Sequence, residues 1–150
     1  MPLRQDEWQR RIKSVDREYA ASRLAIDRLL VDAADDPNII KEQLQVREIK
    51  TASDELEATY IVRLFSEFET SLRAYWRSVR HTRPPRQARN LVDGVAVRAR
   101  VPYEFVANAH SVREYRNLIV HEEAEAADPV TILVARRYLC RFLARLPHEW

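Results

Sequence analysis

Residues 49–79 read IKTASDELEATYIVRLFSEFETSLRAYWRSV and place an apolar or small side chain at every third or fourth position. That spacing keeps these side chains on one face of an α-helix. The stripe consists of Ile49, Ser53, Leu56, Tyr60, Leu64, Phe68, Leu72, Tyr75 and Val79. Phe65 and Trp76 widen it in the second half, which predicts deeper burial there. We predict one long helix from about residue 39 to residue 79.

A second long stripe lies before this helix. It consists of Trp8, Ile12, Val15, Tyr19, Ser22, Ile26, Leu29 and Ala33 and is sustained for nearly four heptads. The sequence Asp35-Asp36-Pro37-Asn38 then breaks the pattern. We predict a helix over about 6–34 that forms an antiparallel hairpin with the next helix.

The rest of the chain predicts three shorter helices, over about 86–97, 102–121 and 129–146. The segment 81–85, which ends in Pro84-Pro85, terminates the long helix, and Asp128-Pro129 resembles a helix start. The fold class is therefore all-α, a helical bundle of about five helices with a long N-terminal helical hairpin. We predict a single domain over 1–150, with an N-terminal helical extension over about 1–54 and a core bundle over about 55–146.

Composition excludes several classes of function. The chain has one Gly, too few for a P-loop or for a G-x-G-x-x-G dinucleotide site. Its one Cys, Cys140, excludes an intramolecular disulfide framework and multi-cysteine metal sites. Neither a run of about 18 apolar residues nor an apolar signal core is present, so we expect no membrane segment and a cytoplasmic protein.

Positive charge is concentrated in one block. The net charge is +2, yet residues 73–100 carry eight Arg and one acidic residue. The planar guanidinium suits phosphate oxygens, so this block predicts contacts with an RNA backbone. The candidate RNA-binding residues are Arg77, Arg80, Arg83, Arg86, Arg89 and Arg113. The alternative is a solvated, arginine-rich surface.

The segment Arg116-Asn117-Leu118-Ile119-Val120-His121 combines side chains that could cleave a ribose phosphodiester. Arginine stabilises negative charge on the phosphate, histidine transfers protons near neutral pH, and asparagine can fix an imidazole tautomer. The substrate's 2′-hydroxyl would supply the nucleophile, so the predicted site needs no metal and no cofactor. An Arg-x4-His pair alone is expected roughly 0.6 times by chance, and roughly 0.015 times when Asn must follow the Arg.

Helix geometry limits this hypothesis. Asn117 and His121 share a face, but Arg116 and His121 lie about 140° apart around a regular helix. The two side chains converge only if the helix frays near His121 or if a second chain completes the site.

The segment 116–121 resembles the Arg-x4–6-His signature of the HEPN superfamily (higher eukaryotes and prokaryotes nucleotide-binding domains). Residues 64–73, LFSEFETSLR, resemble the first core helix of these domains, and the resemblance covers about 55–146. It implies a homodimer in which two motif helices meet, and a metal-independent endoribonuclease that acts as a toxin or antiviral effector. Arg116 and His121 would be catalytic and Asn117 supporting. It also implies a possible antitoxin or nucleotidyltransferase partner.

Three alternatives stay open. The same fold could bind RNA, nucleotide or an antitoxin without cleaving, or the long helical stripe could serve a protein-interaction role alone. Arg116 could simply pair with Glu114, Glu122 or Glu123, and His121 could cap a helix C-terminus. We assign no role to His81 and His110.

Overall fold

The computed structural model describes residues 4–40, 44–123 and 128–150, and the chain forms an all-α bundle of five helices, as predicted. The helices are α1 (Gln5–Asp35), α2 (Val46–Arg80), α3 (Ala88–Ala99), α4 (Tyr103–Val120) and α5 (Ile132–Leu143), with a 3-10 turn at Pro37–Ile39 between α1 and α2. Among the described helices, none is both long enough and apolar enough to cross a lipid bilayer.

The predicted α1–α2 hairpin is confirmed. Contacts between the two helices show that they run antiparallel. Glu18 forms an ion pair with Arg63 at 2.7 Å, and the later residue Ser22 lies 3.0 Å from the hydroxyl of the earlier residue Tyr60. Further along, the Arg23 guanidinium donates to Ser53 Oγ at 2.8 Å. The boundary predicted near residue 54 falls inside α2.

The helix boundaries differ from the prediction at α2. The predicted start near residue 39 is wrong, because Asp36 accepts the Asn38 N–H at 3.0 Å and a 3-10 turn forms there. Residues 41–43 lie outside the described residues. The helix begins at Val46, where Glu48 accepts the backbone N–H of Gln45 at 3.0 Å.

The boundaries of α5 also differ, and distant residues cause the difference. Thr131, not Asp128, caps the helix by accepting the Val134 N–H at 3.3 Å, and Glu57 of α2 accepts the Ile132 N–H at 2.8 Å. The helix ends at Leu143 instead of Leu146. The buried Gln5 side chain donates to the Leu143 and Leu146 carbonyls at 2.7 and 2.8 Å, so α1 satisfies this helix end.

The core joins the second half of α2 to all the other helices. Its largest fully buried side chains are Phe65, Phe68, Phe142, Ile12, Ile61, Leu64, Leu72, Leu91, Leu139 and Leu143. The first half of α1 belongs to this core, whereas Leu24 and Val31 in its second half are 66% and 61% exposed. Helix α4 packs against α2, α3 and α5, and this position sets the surroundings of the Arg-x4-His segment.

Candidate functional site

Arg116 lies in the buried stripe of α4. Ala109 and Val112 on this helix are fully buried, and Arg116 follows Val112 by four positions, about 40° around the helix axis. A stripe of Phe105, Ala109, Val112, Arg116 and Ile119 therefore faces the bundle. Tyr115 beside it also packs against the core, so a charged arginine shares this side of the helix with apolar neighbours.

The guanidinium of Arg116 is enclosed by α2. Its central carbon lies 4.6 Å from the centroid of the Phe65 ring, and Nη2 lies 3.9 Å from Glu69 Oε2. Its Nε is buried and finds no hydrogen-bond partner among the described residues. Burial lowers the pKa of Arg116, the nearby Glu69 opposes this, and Arg113 adds to it. Even so, an arginine remains a cation at neutral pH.

Glu69 is shared between two arginines. Arg73 donates to its other carboxylate oxygen at 2.6 Å, much closer than Arg116. Arg73 also donates to the carbonyls of Pro85 and Arg86 at 2.7 and 3.0 Å, which fastens the segment between α2 and α3 onto α2. Arg73, Arg113 and Arg116 with Glu69 form what we call the Glu69 cluster; Arg113 acts electrostatically on Arg116 and is itself paired with Glu114 at 3.3 Å.

His121 lies on the opposite side of α4. The helix stays regular through Val120, His121 occupies the C-cap position, and its backbone N–H donates to the Asn117 carbonyl at 3.0 Å. Its side chain is exposed. One chain therefore does not bring Arg116 and His121 together, as the calculated separation of about 140° requires.

Asn117 is half-buried and shares the His121 side of α4. Within the described part of the chain, its side chain makes no hydrogen bond to the His121 imidazole. Among the described residues, Arg116 forms no ion pair with Glu114, Glu122 or Glu123, the three alternative partners. Glu114 pairs with Arg113 at 3.3 Å instead. Residues 124–127, directly after this segment, lie outside the described residues.

The predicted RNA-binding arginines fall into two groups. Those of α2, α3 and the segment between them have exposed side chains: Arg77, Arg80, Arg83, Arg86 and Arg89. Arg80 stacks over the Trp76 ring at 4.5 Å. Arg113 differs, because its side chain is only 12% exposed. Together with Arg89 it lines a cleft between α3 and α4.

His110 holds the two sides of that cleft together. Its Nε2 lies 2.6 Å from Asp93 Oδ1 on α3, and its Nδ1 accepts the Arg113 Nε–H at 3.1 Å. The sequence gave no reason to single out His110, because Asp93 lies on another helix.

Comparison with models of known protein families, with curated proteins and with solved structures gave no match. The residues of this region are a partly buried arginine cluster that can hold a phosphate and an exposed histidine at the C-cap of α4. Further exposed arginines lie on α2, on α3 and on the segment between them.

Proposed function

We propose that this chain is a metal-independent endoribonuclease of the HEPN type that acts in the cytoplasm as a toxin or an antiviral effector. The substrate is RNA, and two copies of the chain combine to form the cleaving site. Arg116 and His121 act on the phosphodiester, Asn117 supports His121, and the exposed arginines guide the RNA backbone.

The observation that carries this proposal is the placement of Arg116. A charged side chain at a core-facing position loses solvation, which costs free energy. An apolar side chain is therefore favoured there unless the charge has a function. Here the compensation is incomplete, because Nε has no partner in the described chain and Glu69 lies 3.9 Å away. The side chain keeps 23% of its surface exposed, and a phosphate that approached this exposed part would add a charged hydrogen-bond acceptor to the cluster.

The chemistry follows from the two side chains. The imidazole of His121 removes the proton from the 2′-hydroxyl, and the resulting oxygen attacks the adjacent phosphorus. Arg116 stabilises the charge that develops on the phosphate oxygens. The bond from phosphorus to the 5′-oxygen breaks, a protonated histidine supplies that oxygen with a proton, and the products are a 2′,3′-cyclic phosphate and a 5′-hydroxyl.

We infer a second copy from the spacing along α4. Arg116 and His121 lie about 140° apart around a regular helix, so we expect the histidine of one protomer to meet the arginine of its partner. A homodimer in which the C-terminal turns of two α4 helices approach each other would satisfy this requirement.

A second candidate function is RNA or nucleotide binding without cleavage, with an antitoxin or a nucleotidyltransferase as partner. The separation of Arg116 from His121 within one chain favours it, since each half would still bind anions alone. Replacing Arg77, Arg80 and Arg83 by Gln should flatten the salt dependence of RNA binding under either function.

The deciding experiment is cleavage of labelled single-stranded RNA in the presence of EDTA. We expect the wild-type chain to cleave it and the product to end in a 2′,3′-cyclic phosphate. His121→Ala should abolish cleavage, and Arg116→Lys should restore little, because an ammonium does not reproduce the guanidinium fork. His148→Ala is the matched control, since His148 is also exposed but lies near the C-terminus, after α5.

A substrate with a 2′-deoxy sugar at the scissile position should resist cleavage. If it is cut as fast as RNA, or if EDTA stops the reaction, the proposed mechanism is wrong. Salt-dependent RNA binding without any cleavage would support the second candidate instead. Failure to bind RNA at all would exclude both.

A further inference from the structure

The corner between α3 and α4 exposes an aromatic ring. Tyr103, the first residue of α4, is 86% exposed, and Val97 near the end of α3 is 78% exposed. Arg100 makes the turn between them in a left-handed conformation, with φ of 54°. A large aromatic side chain that is so exposed gains nothing from packing against its own chain, which makes it a candidate for contact with a ligand.

Tyr103 stands between two clefts. On one side the cleft between α3 and α4 is lined by Arg89, His110 and Arg113. On the other side a shallower cleft is lined by Val97 and Arg100. An arginine therefore lines the cleft on each side of Tyr103, while Asp93 lines both clefts and Glu114 lines the first.

The chemistry of this surface fits single-stranded nucleic acid. Aromatic rings that stack on bases, flanked by arginines that contact the backbone, are the common features of single-strand binding surfaces. The surface is continuous with the arginine block of residues 73–100, which has a net charge of +7.

The surface also connects with the Glu69 cluster. Arg113 belongs to both, because it lines the cleft beside Tyr103 and it acts electrostatically on Arg116. Tyr103 precedes Arg116 by 13 positions, which corresponds to about 20 Å along α4. The hydrogen bonds between Asp93 and His110 and between His110 and Arg113 hold the Arg113 side chain in place between Tyr103 and Arg116.

We propose that Tyr103 stacks on a nucleobase of a single-stranded RNA, several nucleotides away from the phosphate held at Arg116, with the exposed Arg89 contacting the backbone between them. This subsite rests on the proposed function, since it extends the same RNA path. It predicts that affinity depends on a base as well as on phosphates.

The experiment measures binding of a fluorescent single-stranded oligonucleotide of about ten nucleotides, made with 2′-deoxy sugars so that it is not cut. Tyr103→Ala should weaken binding about tenfold without changing its salt dependence, because the ring contacts a base. Tyr103→Phe should bind like the wild type. Arg89→Gln should reduce the slope of affinity against salt by about one.

Val97→Ala is the matched control, since it truncates the neighbouring exposed side chain that has no aromatic face. An abasic version of the oligonucleotide should bind the wild type as weakly as the intact one binds Tyr103→Ala, and Tyr103→Ala should bind both equally. Equal binding of the intact oligonucleotide by Tyr103→Ala and the wild type would overturn the stacking proposal. So would an equal loss in Val97→Ala, or a dimer that dissociates in Tyr103→Ala.

The two proposals can fail separately. RNA cleavage that depends on His121, combined with binding that ignores Tyr103, would reject the stacking subsite and leave the endoribonuclease in place. Stacking at Tyr103 without cleavage would reject the nuclease and keep a binding module. A wild-type chain that binds no single strand rejects both.

Discussion

At the scale of single residues, Arg116 combines a core-facing position with a full charge. Glu69 could neutralise this charge, but it already has a closer partner in Arg73. If Arg116 is replaced, the Glu69 carboxylate therefore keeps its partner Arg73. A substitution of Arg116 can then test the proposed chemical role of this arginine without leaving an unpaired charge.

Arg116→Met is the corresponding prediction. Methionine has a similar length and suits the Phe65 face, so the free energy of unfolding should be unchanged or higher by about 1 kcal/mol. RNA cleavage should be lost. Urea unfolding and the cleavage assay on the same preparation measure both quantities.

Arg116→Gln serves as the polar comparison, since it keeps a donor but removes the charge. A methionine variant that loses more than about 1 kcal/mol of stability and still cleaves RNA would show that Arg116 is a structural residue.

The sequence allowed part of this site to be predicted. The 100° turn per residue was enough to place Arg116 and His121 on different sides of α4. The partners of Arg116 were not predictable in this way, because Phe65 and Glu69 reach it only through the packing of α2 on α4. The same holds for His110 and Asp93, which lie on different helices.

At the scale of the helices, α2 and α3 fit together at Gly94. Glycine has a low propensity for the helix interior, but in the structure its missing side chain has a packing role. A β-carbon at this position would lie 2.6 Å from Cζ3 of Trp76. The indole is held in place by a hydrogen bond from its Nε1–H to Thr82 at 3.2 Å and by Arg80 over its face.

Gly94→Ala should therefore lower stability despite the better helix propensity of alanine. The propensity favours the variant by about 1 kcal/mol, whereas overpacking costs about 1–3 kcal/mol. In a Trp76→Ala background the obstacle is absent, and the same substitution should stabilise the chain. Thermal or urea unfolding of the four variants tests this, and an identical effect of Gly94→Ala in both backgrounds would contradict the packing role.

The ends of α1 could be predicted from the local sequence, whereas the ends of α5 could not. The ends of α1 follow from its stripe and from the break at Asp36-Pro37. The ends of α5 do not, since Glu57 and Gln5 satisfy its terminal backbone groups from other helices. Interactions of this kind depend on the assembled bundle, and no pattern within residues 128–146 contains them.

For the molecule as a whole, the proposed composite site would make assembly a condition of activity. The wild-type chain should then sediment as a dimer at micromolar concentration. A Val120→Asp substitution beside His121 should yield an inactive monomer, because it puts a charge where the α4 ends would meet in the proposed dimer. Leu133→Asp is the control, as Leu133 is similarly exposed on α5, at 58% against 56% for Val120.

Mixing two inactive variants tests the composite site directly. A heterodimer of Arg116→Lys with His121→Ala contains one site with both native residues, so random mixing should restore about a quarter of the wild-type cleavage. No restoration, with heterodimers demonstrated, would mean that each site uses residues of one chain.

The two ends of the α1–α2 hairpin differ in how readily they unfold locally. Near Trp8 and Phe65 the two helices are fixed in the common core, whereas near Leu24 and Val46 they have mainly each other and solvent. Partial unfolding can therefore begin at the turn after α1 and move inward without disturbing the helix that carries His121. Backbone amides should exchange with solvent in a gradient along the hairpin, and insertions at its tip should cost little stability.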